Sequence, residues 1–123
     1  MPCIYMLALR CKDDDTRYYK LGYLSNGNAP DRMHYSDSSN VPLTTYFDLV
    51  DHCQWDTPDA KKIEELVHHK IRNEWNWKCD GILGIHRKHK YFPQLFSGVT
   101  ECRVYDKDEV RAVYRCIKEA LDL

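Results

Sequence analysis

Cys3-Ile-Tyr-Met-Leu-Ala-Leu9 and, after the polar break Lys12-Asp-Asp-Asp-Thr16, Tyr18-Tyr-Lys-Leu-Gly-Tyr-Leu24 decide how this chain begins to fold. The first run is continuously apolar, the pattern of a central strand covered on both faces. The second is aromatic-rich and strand-like. With a polar loop between them, they predict a hairpin.

Outward from that hairpin, residues 25–42 are rich in Asn, Asp, Ser and Pro. They read as a long connection with a short helix around Asp31–Tyr35. Tyr46 to Trp55 is a third strand candidate. The clearest helix follows: Thr57 is a good N-cap, Pro58 suits the first helical position, and Asp59 complements the positive end of the dipole. Ala60, Ile63, Leu66, Val67, Ile71 and Trp75 recur at helical spacing and predict its apolar face. Residues 78–98 have no clean period and contain the basic cluster His86-Arg-Lys-His-Lys90. A short strand near Glu101–Tyr105 leads to a last helix, started by Asp106 and Glu109 and faced by Val110, Val113, Tyr114, Ile117, Ala120 and Leu121. No repeat and no linker divides the chain, so residues 1–123 are expected to form one α/β domain.

A composition of 43% hydrophobic and 30% charged residues suits a soluble globular core. No apolar run approaches the roughly 20 residues of a membrane span. The start, Met-Pro-Cys-Ile-Tyr, lacks a signal-peptide pattern, and a cytoplasmic or intracellular location without membrane contact is expected. The six cysteines, at 3, 11, 53, 79, 102 and 116, include no C-x-x-C pair. Cys3, Cys53 and Cys116 read as buried thiols. Net charge is -1, but residues 1–60 carry five basic against nine acidic side chains, while residues 61–90 carry eight against four. A local basic surface of this kind suits a phosphate backbone.

Helical projection puts Glu64 at the edge of the buried arc of the 60–75 helix and Glu65 towards solvent. An inward carboxylate needs a partner, because an unpaired buried charge is costly. His68, one turn later, is on the same flank. A cation and an ordinary Glu–His or Glu–Arg pair are both open at this point. His34 follows Arg32 by two residues and is a candidate proton carrier. His52 is a candidate core histidine.

The order of these features resembles the GIY-YIG nuclease superfamily, especially its phage-associated branch with a K-I-G form of the second motif. The matching residues are Ile4-Tyr5, Tyr19-Lys-Leu-Gly22, Arg32, Ile63-Glu64-Glu-Leu-Val-His68, and Phe96-Ser-Gly-Val-Thr-Glu-Cys102. The resemblance implies an α+β fold with a small, mainly antiparallel central sheet flanked by helices. It further implies that Tyr5 lies beside a nucleophilic water and that Arg32 binds the phosphate. Glu64 would hold one Mg²⁺ or Mn²⁺ ion, with His68 and Glu101 supporting the site. Three departures stand out, one being that the catalytic asparagine of many members has no match here, with Asn73 and Asn76 only nearby. Cys3 replaces the first glycine, and Lys20 occupies the second motif's tyrosine position, with Tyr19 beside it. Alternation along a strand lets only one of Tyr19 and Lys20 face the site.

Two functions follow as expectations. The first is a metal-dependent DNA endonuclease in which Tyr5, Arg32 and Glu64 converge on one surface, flanked by Arg87, Lys88 and Lys90 as phosphate contacts. The second is a catalytically inactive module of the same fold that binds nucleic acid or a partner protein. With 123 residues, sequence specificity is expected from loops or from a homodimer.

Overall fold

In the computed structural model, the described residues are 1–36, 40–74, 102–103, 105 and 107–122. Strand β1 spans Cys3–Cys11, and nearly all of its side chains are buried. It is the inner strand that its unbroken apolar sequence predicts. β2 (Arg17–Leu24) and β3 (Phe47–Asp56) flank it antiparallel, and the two-residue β4 (Cys102–Arg103) pairs with β2 at Tyr19 and Lys20. The sheet order is β3-β1-β2-β4. The β1–β3 register shifts between Ala8 and Leu9, leaving Val50 as an extra, exposed residue on β3. This is a bulge in what is otherwise a regular ladder.

Each face of β1 has its own cover. On one face, Ile4 and Met6 pack with Leu21 against Ile63, Val67 and Ile71 of α1 (Ala60–Glu74) and Val113, Cys116 and Ile117 of α2 (Lys107–Ala120). On the other, Tyr5, Leu7, Leu9 and Tyr18 are covered by a 3₁₀ helix at Ala29–His34, a 3₁₀ turn at Leu43–Thr45, and Phe47. Both helices therefore occupy a single face, and the loop segment closes the other.

Local chemistry sets the boundaries. The Asp59 N–H donates to Thr57 Oγ1 at 3.2 Å, the N-cap contact that Thr57 predicts, and the first turn closes from the Ile63 N–H to the Asp59 carbonyl. The helix at residues 29–34 is 3₁₀ rather than α and starts two residues before the predicted Asp31. Ala29, just before Pro30, is buried and anchors its start. Leu66 departs from the predicted apolar face and is 53% exposed. It lies about 100° from the centre of the Ile63–Val67–Ile71 arc and lines a shallow groove with Lys70, Cys116 and Glu119 instead. His52 is exposed, not a core residue, because β3 is an outer strand of the sheet and its Val50–His52 stretch beside the bulge is uncovered. Cys53 is only half-buried, whereas Cys3 and Cys116 are in the core as expected. Burial pushes the Cys3 and Cys11 thiols up, keeping them protonated and unreactive. Among the described residues no helix is long and apolar enough to cross a membrane.

Ile71→Ala should destabilise the protein by about 2–5 kcal/mol through lost burial and a residual cavity, whereas Leu66→Ala should stay within about 0.5 kcal/mol. Denaturant titration of both variants checks the pair.

Candidate active site

Tyr5 lies in the middle of β1, between Gly22 of β2 and Gln54 of β3. Its ring leans over the glycine. A Cβ at position 22 would be 2.5 Å from the Tyr5 hydroxyl and 2.7 Å from Cζ. Gly22 is thus required by close approach of a side chain rather than by its backbone angles. Two residues back on β2, and so on the same face, the fully buried Lys20 donates from Nζ to the Tyr5 hydroxyl at 2.5 Å. Its ammonium is also 4.9 Å from the Tyr5 ring centroid.

The other neighbour of Tyr5 positions a second cation. Gln54 Oε1 accepts a hydrogen bond from the Ala29 N–H at 3.0 Å, which fastens the start of the 29–34 helix to β3. That helix carries Arg32, whose Nε donates to the Tyr5 hydroxyl at 3.3 Å. The Arg32 guanidinium also stacks on Tyr35, 4.3 Å from its ring centroid. One phenolic oxygen, 1% exposed as part of Tyr5, therefore accepts from two cationic side chains. The Arg32 terminal nitrogens make no ion pair among the described residues, leaving a planar fork for an anion such as a phosphate.

Tyr19 faces away from this cluster and packs on the helical face, with its ring centroid 5.9 Å from that of Tyr105. Lys20, not Tyr19, is the side chain that meets Tyr5. His34 is not brought to Tyr5 either. It is exposed and lines a shallow pocket of about 230 Å³ with Lys12, Met33, Phe47 and Asp48, at the far end of the sheet. The 3₁₀ geometry turns residue 34 away from residue 32.

Glu64 and His68 are buried, at 6% and 4% exposure, and paired: Glu64 Oε1 is 3.0 Å from His68 Nε2. The same Nε2 is 3.0 Å from the carbonyl oxygen of Leu21. Both neighbours are acceptors, so Nε2 carries the proton and donates to both. Nδ1 is buried without a partner among the described residues. The expected convergence of Glu64 with Tyr5 and Arg32 is not found, since no contact joins Glu64 to either residue. α1 packs on the face opposite Tyr5, and Glu64 makes no hydrogen bond or ion pair to Tyr5, Lys20 or Arg32. The Glu64–His68 pair instead reaches the backbone of β2 at Leu21, between Lys20 and Gly22. β4 borders β2 only at residues 19 and 20, so the Leu21 carbonyl lies just beyond that pairing.

Arg87, Lys88, Lys90 and Glu101 lie outside the described residues. Sequence reasoning missed three participants: Gln54, Tyr35 and the Leu21 carbonyl. Gln54 and Leu21 carried no usable signal. Tyr35 did, because residues three apart in a 3₁₀ helix eclipse one another. The sequence model of the T5orf172 domain family matches residues 2–118, almost the whole chain. Neither the curated proteins nor the solved structures hold a match.

Gly22→Ala should cost about 1–3 kcal/mol by crowding Tyr5. In a Tyr5→Ala background the same substitution should cost far less. Denaturant melts of the four proteins give this coupling; an equal cost in both backgrounds would place the crowding elsewhere.

Proposed function

The chain belongs to the T5orf172 domain family, and on that premise we propose that it is a GIY-YIG-type endonuclease that hydrolyses phosphodiester bonds in DNA with one Mg²⁺ or Mn²⁺ ion. The observation that carries this reading is the meeting of Tyr5, Lys20 and Arg32 at one hydroxyl opposite a glycine. Phosphodiester hydrolysis needs a cationic clamp, a positioned water and charge neutralisation at the phosphate. Arg32 supplies the clamp through its terminal nitrogens. The Tyr5 oxygen, fixed by two donors, orients the attacking water. Lys20 holds that oxygen in place and adds positive charge behind it.

Glu64 is the proposed metal ligand. Its carboxylate and the Leu21 carbonyl are hard oxygen donors next to the same histidine nitrogen. Among the described residues no group of three His, Cys, Asp or Glu could form a protein cage. This set fits an ion that keeps several waters and takes its other ligands from phosphate, as Mg²⁺ commonly does. When bound, the ion would neutralise charge on a phosphoryl oxygen and on the leaving oxygen. Glu64 Oε1 faces His68, which leaves the second carboxylate oxygen for the ion.

That His68 contact also favours a second reading, in which Glu64 is a structural partner that ties α1 to β2 and the domain binds DNA or a partner protein without cutting. Plasmid cleavage with Mg²⁺ or Mn²⁺ tests the first reading. Arg32→Ala and Glu64→Ala should each lower the rate by about 10²–10³-fold or more. Wild-type-level cutting by Glu64→Ala would refute the assignment.

Thermal melts separate the readings without a substrate. At one hundred times Kd, bound metal should add about 2.7 kcal/mol of stability, and Glu64→Gln should abolish that gain while leaving the apo protein folded. In the second reading the wild type shows no metal response, and Glu64→Gln lowers apo stability by weakening the His68 contact.

A further inference from the structure

Four large apolar side chains are exposed among the described residues: Met1, Tyr35, Val50 and Leu66. Three have local reasons. Met1 is terminal, Val50 is the bulged residue of β3, and Leu66 lines the groove between α1 and α2. Tyr35 has none of these, and it is the only aromatic of the four. It remains 49% exposed while one face of its ring is covered by the Arg32 guanidinium. We infer that Tyr35 is a stacking platform for an unpaired base next to the phosphate held by Arg32, so that the site's substrates are single-stranded or locally unpaired nucleic acids. This inference rests on the phosphodiester reading of the Tyr5–Arg32 site.

The platform is built rather than incidental. The Tyr35 N–H bonds to the Arg32 carbonyl at 3.3 Å and closes the last 3₁₀ turn. Residues three apart in such a turn eclipse one another, which places the ring against the guanidinium. The start of the turn is fastened by Gln54, and the Asn28 N–H reaches Asp31 Oδ2 at 3.4 Å. Arg32 is itself fixed on Tyr5. An exposed ring held by four such ties has little freedom left to lose on binding. In a paired, stacked duplex both faces of each base are occupied by neighbours. Only a base at an end, a flap or a single strand offers a face to the ring.

The test uses the full chain in EDTA, so that binding is read without cleavage. The probes are a fluorescent single-stranded oligonucleotide carrying 2-aminopurine and a relaxed, covalently closed circular duplex containing the same sequence, which has no ends. Wild type should prefer the single strand and change 2-aminopurine emission on binding. Tyr35→Ala should weaken single-strand affinity roughly 5- to 150-fold, the range of one base–aromatic stack, and leave duplex affinity unchanged. Tyr35→Phe should keep both affinities, and the melting temperatures of both variants should match wild type. Equal loss on the two probes would overturn the inference, because Tyr35 would then only orient Arg32. Unchanged single-strand affinity in Tyr35→Ala would overturn it too; if the wild type still cuts plasmid and Arg32→Ala does not, the nuclease reading survives that result. Wild-type protein that binds neither probe removes both.

Discussion

A buried phenolic oxygen must find hydrogen-bond partners, and the Tyr5 hydroxyl finds them on two other segments of the chain. Lys20 comes from the neighbouring strand and Arg32 from the segment that closes the far face of the sheet. The Arg32 guanidinium is always charged, so its bond is of the charge-assisted kind. Three elements are thereby fixed relative to one another at one atom. The glycine opposite and the glutamine on the other side serve this junction: one makes room for the ring, the other pins the arginine's helix. A catalytic or binding surface gains accuracy when its groups are held by packed elements of this sort rather than by free loops.

The same sheet carries two differently built halves. On the helical face, α1 and α2 bury mainly aliphatic side chains against Ile4, Met6 and Leu21, and the Glu64–His68 pair is buried with them. On the other face a thin layer of 3₁₀ structure suffices and brings polar side chains to Tyr5. Two strands, β1 and β2, link the two halves through the alternation of their side chains. The chemistry of one face and the stability of the other therefore depend on one register, and a slip of one residue would exchange them.

Much of this was legible from residues alone. The unbroken run at 3–9 and the aromatic run at 18–24 gave the central hairpin, and Thr57-Pro58 with the Ile63, Val67 and Ile71 spacing gave α1. Glu64 was correctly placed inward, with His68 beside it. Other features depended on contacts between distant segments. Alternation requires Tyr19 and Lys20 to face opposite sides but cannot say which, and the β1–β2 register decides it. Leu66 satisfies a helical spacing rule yet lies off the buried arc. Its environment is set by α2, nearly fifty residues away. Gln54 looks like any polar residue on a strand until the Ala29 N–H is found next to it. His34 was attractive for its closeness to Arg32 in sequence, but tight helical winding sends neighbouring side chains in different directions.

The bulge at Val50 has a consequence for solubility. β3 is an outermost strand of ten residues, with no neighbour on its far side among the described residues. An open ladder of that length invites another chain to add to it. Here the extra residue interrupts the regular spacing of backbone donors and acceptors, and Asp48, Asp51 and Asp56 line the strand with negative charge. A second copy approaching side by side would bring its own carboxylates against these and would meet a kinked backbone. Among the described residues, the bulge and the aspartates thus oppose sheet growth along β3.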